Sequence, residues 1–196
     1  DFLLNQALRD TFAFGTMDVA AFDSFLRLHD AYFPDHFLRP SFLDNHDMNR
    51  FLWLARGDKR RLKLAALCQF TLPGPPVVYY GTEVGVSQER DIVQAHGHIG
   101  EESRVPMRWG DGQDQELHSY YRWLVHLRHE YPVLWRGRRD TVHLDVEAGT
   151  FAYTRSDERE RLLVILNASE EPHTVEIGGK KFGLQPWSGT VEPLWG

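Results

Sequence analysis

Near Pro132 the hydrophobic period of the chain changes, and no other feature constrains the fold as much. Upstream, helical spacing alternates with short, nearly continuous apolar runs. Downstream, short alternating segments are separated by Gly, Pro, Asn and Asp. The first pattern belongs to α/β structure with buried parallel strands, the second to an antiparallel all-β module. The expected division is therefore 1–132 and 133–196. No internal repeat or low-complexity segment interrupts either unit.

Within the first unit, residues 1–4 read as the tail of a strand. Val19, Phe22, Phe25, Leu26 and His29 share one helical face, with Thr16 as the expected N-cap and Asp18 as a first-turn acid. Pro34 breaks this helix, and residues 37–43 form a short strand leading into Asp44-Asn45-His46-Asp47. Lys59 to Thr71 is helical with a wide apolar face that includes Cys68. Pro73-Gly74-Pro75-Pro76 stops it. Val77-Val78-Tyr79-Tyr80 then reads as a parallel strand covered on both faces. A long loop spans about 81–112, and a helix follows from Glu116 to His129, with Leu117, Tyr120, Tyr121, Leu124 and Leu127 in one stripe. This order is the rhythm of a barrel or an open parallel sheet.

The second unit offers about five short strands. Residues 150–154 and 161–167 are joined by a polar turn at Ser156-Asp157-Glu158-Arg159. His173 to Ile177 alternates cleanly, and Gly178-Gly179 is a hairpin signal. Residues 181–184 and 190–194 complete a small sheet or sandwich.

Composition narrows the partners. The net charge is −6, and Lys59-Arg60-Arg61 and the arginines of 136–139 lie beside acids, so no nucleic-acid footprint is expected. No apolar run approaches the roughly 18 residues that span a bilayer. Cys68 is the single cysteine, which rules out an intrachain disulfide and favours a reducing, cytoplasmic setting. The chain begins at Asp1 without a methionine or a signal pattern, so the true N-terminus is expected upstream.

The chemistry concentrates in Phe42-Leu43-Asp44-Asn45-His46-Asp47, followed by Arg50. An apolar strand ends in carboxylates, an amide and an imidazole, which at the C-terminal end of a barrel strand face the site shared by the loops. Taken alone, an Asn-His-Asp triplet is more often a helix cap. Two further segments alter that balance: Tyr79-Tyr80-Gly81-Thr82-Glu83-Val84-Gly85 and Arg104-Val105-Pro106-Met107-Arg108-Trp109. In this order the three segments resemble the α-amylase family, glycoside hydrolase family 13, at its seventh strand, its eighth strand, and the loop before the last barrel helix.

The resemblance implies a partial (β/α)8 barrel, about strands 6 to 8, followed by a small antiparallel β-sandwich. It implies retaining cleavage of α-glucosidic bonds, in which one carboxylate attacks and a protonated partner assists departure. Asp47 matches a third carboxylate that holds the distorted sugar. His46 matches a substrate-binding histidine, and Asn45 and Arg50 are assigned beside it. For Arg50, orientation of loop carboxylates competes evenly with a solvated helix arginine. For Glu83, electrostatic support of the site competes evenly with a structural ion pair.

The family's nucleophile and general acid lie on strands four and five, before the region this chain resembles. Residues 15–20 are faintly similar to the nucleophile strand, but Thr16 stands where an arginine belongs. The 196 residues alone are therefore expected to be inactive, as part of an enzyme acting on α-glucans or maltooligosaccharides. No cofactor is expected, and calcium in the full-length enzyme is left open. An uncovered barrel edge would invite pairing with another copy. His96-Gly97-His98 with Glu101 and Glu102 lacks a familiar metal spacing. Trp53, Trp109 and Trp135 are read as packing before sugar stacking. Rival readings are a transglycosylase or isomerase of the same sugars, a non-catalytic sugar-binding or scaffold protein, and a free-standing carbohydrate-binding sandwich. The α/β half disfavours the last.

Overall fold

The computed structural model describes residues 1–34, 37–93 and 100–194. The chain opens with a helix where a strand tail was expected: α1 spans Phe2–Leu8, and the Asp1 carboxylate caps it by accepting from Leu4 N at 3.1 Å. Leu4, Ala7, Leu8 and Phe12 are buried at helical spacing, a period that four terminal residues are too few to display. The helix widens to π-helical turns over Arg9–Phe14 and ends at Gly15, whose φ of 67° suits glycine.

Helix α2 spans Val19–Tyr32. Its N-cap is Asp18, not Thr16, with Asp18 Oδ1 accepting from Ala21 N at 2.8 Å. Both expected strands of this half shrink to two residues. β1, Ser41–Phe42, pairs in parallel with β2, Pro76–Val77, in the register Ser41 with Pro76 and Phe42 with Val77. Nor is β2 covered on both faces, since Val77 is 50% and Val78 37% exposed. A run of β-branched residues sets strand propensity, but the ladder needs neighbours, and among the described residues only β1 supplies one. Between the strands lie α3, Phe51–Leu54, and α4, Lys59–Thr71, the latter with the bounds its apolar face indicated. Helix α5, Gln115–Glu130, follows the long loop.

A short helix α6, Val133–Arg136, leads into six antiparallel strands: β3 Arg138–Asp145, β4 Thr150–Ser156, β5 Arg161–Asn167, β6 His173–Ile177, β7 Lys180–Leu184 and β8 Ser188–Pro193. Four form a sheet in the order β3-β4-β5-β8, and β6-β7 form a separate hairpin. That hairpin turns through Gly178 and Gly179, with φ of 60° and 79°, the positive values a two-residue turn requires.

The two halves share one core. Leu62, Leu64 and Leu67 of α4 pack in a single apolar cluster with Phe12, Phe22, Phe151, Tyr153, Leu166 and Trp187. On the opposite face of the sheet, Ala152, Leu163 and Ile165 meet Val175, Phe182 and Leu184 of the hairpin. Strands β4 and β5 are thus covered from both sides, which explains their unbroken burial. Burying each large apolar side chain contributes about 2 kcal/mol. Polar links reinforce the junction: buried Arg139 of β3 pairs with Asp23 of α2 at 3.0 Å, and Tyr153 Oη meets Thr71 Oγ1 at 2.6 Å. Among the described residues no helix is long and apolar enough to cross a membrane.

Candidate active site

Strand β1 is two residues long, so side chains must hold its end. Asn5 Nδ2 of α1 donates to the carbonyls of Phe42 and Leu43, both at 2.9 Å. Gln69 Nε2 of α4 reaches Ser41 O at 3.0 Å and Val77 O at 3.3 Å, tying β1 to β2. These buried amides perform the satisfaction that further ladder bonds would provide. Sequence reasoning missed both. Their only local signal is a polar residue on an otherwise apolar helix face.

Beyond Leu43 the chain enters the polar cluster. Asp44 is buried, accepting from Phe51 N at 2.9 Å and from Thr82 Oγ1 at 2.8 Å. Burial pushes its carboxyl above the usual range, while those hydrogen bonds and the nearby arginines Arg50 and Arg9 oppose the rise. Asn45 Oδ1 accepts from Asp47 N at 2.8 Å, a local turn that lifts the next side chains outward. His46 and Asp47 are 60% and 63% exposed at the side chain, and His46 Nε2 lies 3.1 Å from Asp47 Oδ2.

Arg50 is fully buried. It donates from Nε to Ser103 O at 2.8 Å, and from Nη1 to Tyr80 O at 2.7 Å and Thr82 Oγ1 at 3.3 Å. Its guanidinium carbon also lies 4.0 Å from the ring centroid of Tyr79. Neither a solvated helix arginine nor a group turned toward solvent fits this position; from beneath, Arg50 ties its own loop to two others, at 79–82 and at Ser103. Tyr79 is pushed up to about 12, first by burial and then by Tyr80. Glu83 lies in the turn Thr82–Val84, with Oε2 buried and without a hydrogen-bond partner. No ion pair involves it among the described residues.

A third loop completes the arrangement. Ser103 Oγ and Arg104 Nε both donate to His46 O at 3.1 Å, and Arg104 Nη2 pairs with Asp47 Oδ1 at 3.1 Å. Tyr80 Oη donates to Val105 O at 2.7 Å. The three motif segments of the sequence are therefore joined in space. The cluster offers an exposed carboxylate held at both oxygens beside an exposed imidazole, with buried charge below it. Such a group can accept hydrogen bonds from hydroxyls of a ligand.

The tryptophans separate. Trp53 packs partly into the core and lines an open cleft of about 580 Å3 with Phe14, Arg56 and Gln88. Trp109 is 76% exposed and Trp135 is half exposed, so the packing reading does not describe them. His96, Gly97 and His98 lie outside the described residues.

Comparison with known proteins agrees with this geometry. The family profile described as "Alpha amylase, catalytic domain" matches residues 3–137. The chain is 34% identical over 180 residues to "Alpha-amylase 2" of Dictyoglomus thermophilum, covering 91% of this chain and 31% of that protein. It is 30% identical over 190 residues to "Neopullulanase 2" of Thermoactinomyces vulgaris, covering 95% and 31%. Among solved structures, the ligand-free cyclic α-maltosyl-(1→6)-maltose hydrolase from Arthrobacter globiformis superposes with a TM-score of 0.85 at 27% identity, over 99% of this chain and 43% of that one. The chain thus spans about a third of the curated relatives' length.

Proposed function

The chain belongs to the α-amylase family, and from that premise we propose that it carries the sugar-holding carboxylate, Asp47, of a retaining hydrolase of α-glucans or maltooligosaccharides. The observation that carries this reading is the exposed Asp47–His46 pair at a parallel-strand end, bridged to the loop that bears Arg104.

In a retaining mechanism two carboxyl groups about 5 Å apart perform attack and proton transfer through an oxocarbenium-like transition state. Asp47 does neither. Its oxygens accept hydrogen bonds from ring hydroxyls of the sugar in the reacting subsite, and those bonds strengthen as positive charge develops. His46 donates or accepts at a neighbouring hydroxyl, and Asn45 shapes the turn that presents both. Arg50 and Glu83 act from beneath, without touching sugar. The layout proposed for the whole enzyme keeps 1–132 as the last part of a (β/α)8 barrel, about strands 6 to 8, and 133–196 as its C-terminal β domain. Attack and protonation belong to residues on other strands of that barrel, so the 196-residue chain alone does not turn over. Its uncovered face at Val77, Val78 and Tyr80 favours self-association.

Two assays test this. The purified 196-residue chain is given a chromogenic maltoside, and no hydrolysis is expected. The chain is also exchanged for the corresponding segment of the Dictyoglomus relative. That chimera is expected to be active, and Asp47→Asn to lower its turnover by about 100-fold or more. An Asp47→Asn chimera with undiminished turnover overturns the reading.

A further inference from the structure

Asp47 and His46 sit on a loop whose own hydrogen bonds are few: the Asn45 side chain accepts from Asp47 N, and the two side chains touch one another. What holds them comes from residues about 57 positions along the chain. Arg104 delivers three of its donors to three acceptors: Nε to the His46 carbonyl, Nη2 to Asp47 Oδ1 and Nη1 to Glu101 Oε1, each at 3.1 Å. The planar guanidinium thereby grips the main chain of one residue and the carboxylate of the next, a two-point hold that a point charge cannot reproduce. Ser103 adds a second bond to the same carbonyl.

This grip is itself anchored. The carbonyl of Ser103 accepts from buried Arg50, and that of Val105 accepts from Tyr80 Oη, while Tyr80 O accepts from Arg50. Arg104 is therefore flanked on both sides by main-chain groups tied to Arg50 and Tyr80. A surface ion pair is ordinarily worth little because two long side chains must be immobilised for it. Here the neighbours of Arg104 are already fixed, and the pair can specify direction even if it adds little stability.

We propose that Arg104 is a positioning residue for the proposed sugar-holding function of Asp47: it orients the carboxylate through Oδ1 while fixing the His46 main chain, so that the exposed Asp47 Oδ2–His46 Nε2 pair is presented to the sugar. This rests on the functional reading above but is tested apart from it.

The first test uses the intact 196-residue chain labelled with 15N. The Arg104 Nε–H is expected to give a distinct, slowly exchanging signal, because it is bonded to the His46 carbonyl. Asp47→Asn should shift that signal, whereas Glu101→Gln should leave it near its original position. Amide exchange at residues 46–48 should quicken at least several-fold in Arg104→Gln, with Arg104→Lys recovering part of the protection. An Arg104 signal indifferent to Asp47→Asn, or loop exchange indifferent to Arg104→Gln, overturns the proposal.

The second test uses the chimera. Arg104→Gln is expected to lower kcat on the order of tenfold, with KM changed much less, and Arg104→Lys to restore part of kcat. If Asp47→Asn abolishes turnover while Arg104→Gln leaves kcat intact, the positioning role fails and the function of Asp47 stands. If Asp47→Asn is harmless, the functional reading fails, and the spectroscopic arm still decides whether the two side chains are coupled.

Discussion

The α/β half and the β half of this molecule are held together by different means. In the β half, seven-residue strands β4 and β5 pair along their full length, and apolar side chains cover both faces. In the α/β half, the two strands share a register of two residue pairs, and Asn5, Gln69, Arg50 and Arg128 reach across the chain to bind main-chain carbonyls. A ladder distributes cohesion over many equivalent bonds. An anchor side chain concentrates it in one, and leaves loops free to take the shape a site demands. The carboxylate cluster lies in the half built by anchors.

By that contrast, tight positions in the first half should be far less tolerant than open ones in the second. The largest effect is expected at Gly74. A Cβ there would lie 1.8 Å from Arg39 O, so Gly74→Ala should cost more than about 4 kcal/mol or prevent folding, read by urea unfolding. A variant of near-normal stability would mean this half yields as freely as a surface loop.

Two buried arginines give the next comparison. Arg50→Met removes bonds to Ser103 O and Tyr80 O and is expected to cost about 3 kcal/mol. Arg155 of β4 is equally buried. It bonds Leu134 O and Gly137 O, leaves Nε and Nη1 unpartnered, and is lowered to about 10 by burial. Arg155→Met should therefore cost less, about 1 kcal/mol, because removing a poorly compensated buried charge offsets the lost bonds. Equal losses at the two sites would erase the distinction.

The seam between the halves has a pH signature. Burial raises the Cys68 thiol from 9.0 to about 12 and also raises Tyr153 beside it. The unfolded chain loses these protons first, so it binds fewer than the native state above pH 9. Stability is complete below pH 9 and falls as pH rises toward 12, by about 1.4 kcal/mol per unit for the thiol. Cys68→Ala should flatten the start of that decline. An unchanged alkaline limb would remove the seam as its source.

Smaller still, Tyr153→Phe should cost about 1 kcal/mol through the lost bond to Thr71, whose hydroxyl keeps Leu67 O as a partner. Gly183→Ala, with nothing within 4 Å of its added Cβ, should change stability by less than about 0.5 kcal/mol.

The same contrast sets what could be read from the residues in order. Helix α4 and the Gly178-Gly179 hairpin are local patterns, and both stand where period and turn chemistry put them. The parallel strands are not local. Val77-Val78-Tyr79-Tyr80 has strand propensity, but a ladder is a property of two segments, so most of that run lies outside one. The start of the chain showed too few residues to reveal a helical period. The site was legible as three motifs, and those motifs do meet. Their connection through Arg104 and Arg50 was not, because bonds spanning 30 to 58 positions leave no mark on spacing. Burial was equally silent: Arg50 and Arg104 are the same residue type with opposite environments.

Arg128 carries a consequence of another kind. From α5 its guanidinium donates to the carbonyls of Phe70, Leu72, Pro73 and Gly74, closing the end of α4 and the turn into β2. Burial lowers it to about 10, so it remains a cation at neutral pH. A chain emerging from the ribosome therefore presents this turn more than fifty residues before its clamp exists. Until Arg128 arrives, water must serve those four carbonyls. The clamp on this turn is thus assembled late, and a pause in synthesis ahead of residue 128 would leave the turn made but not yet held.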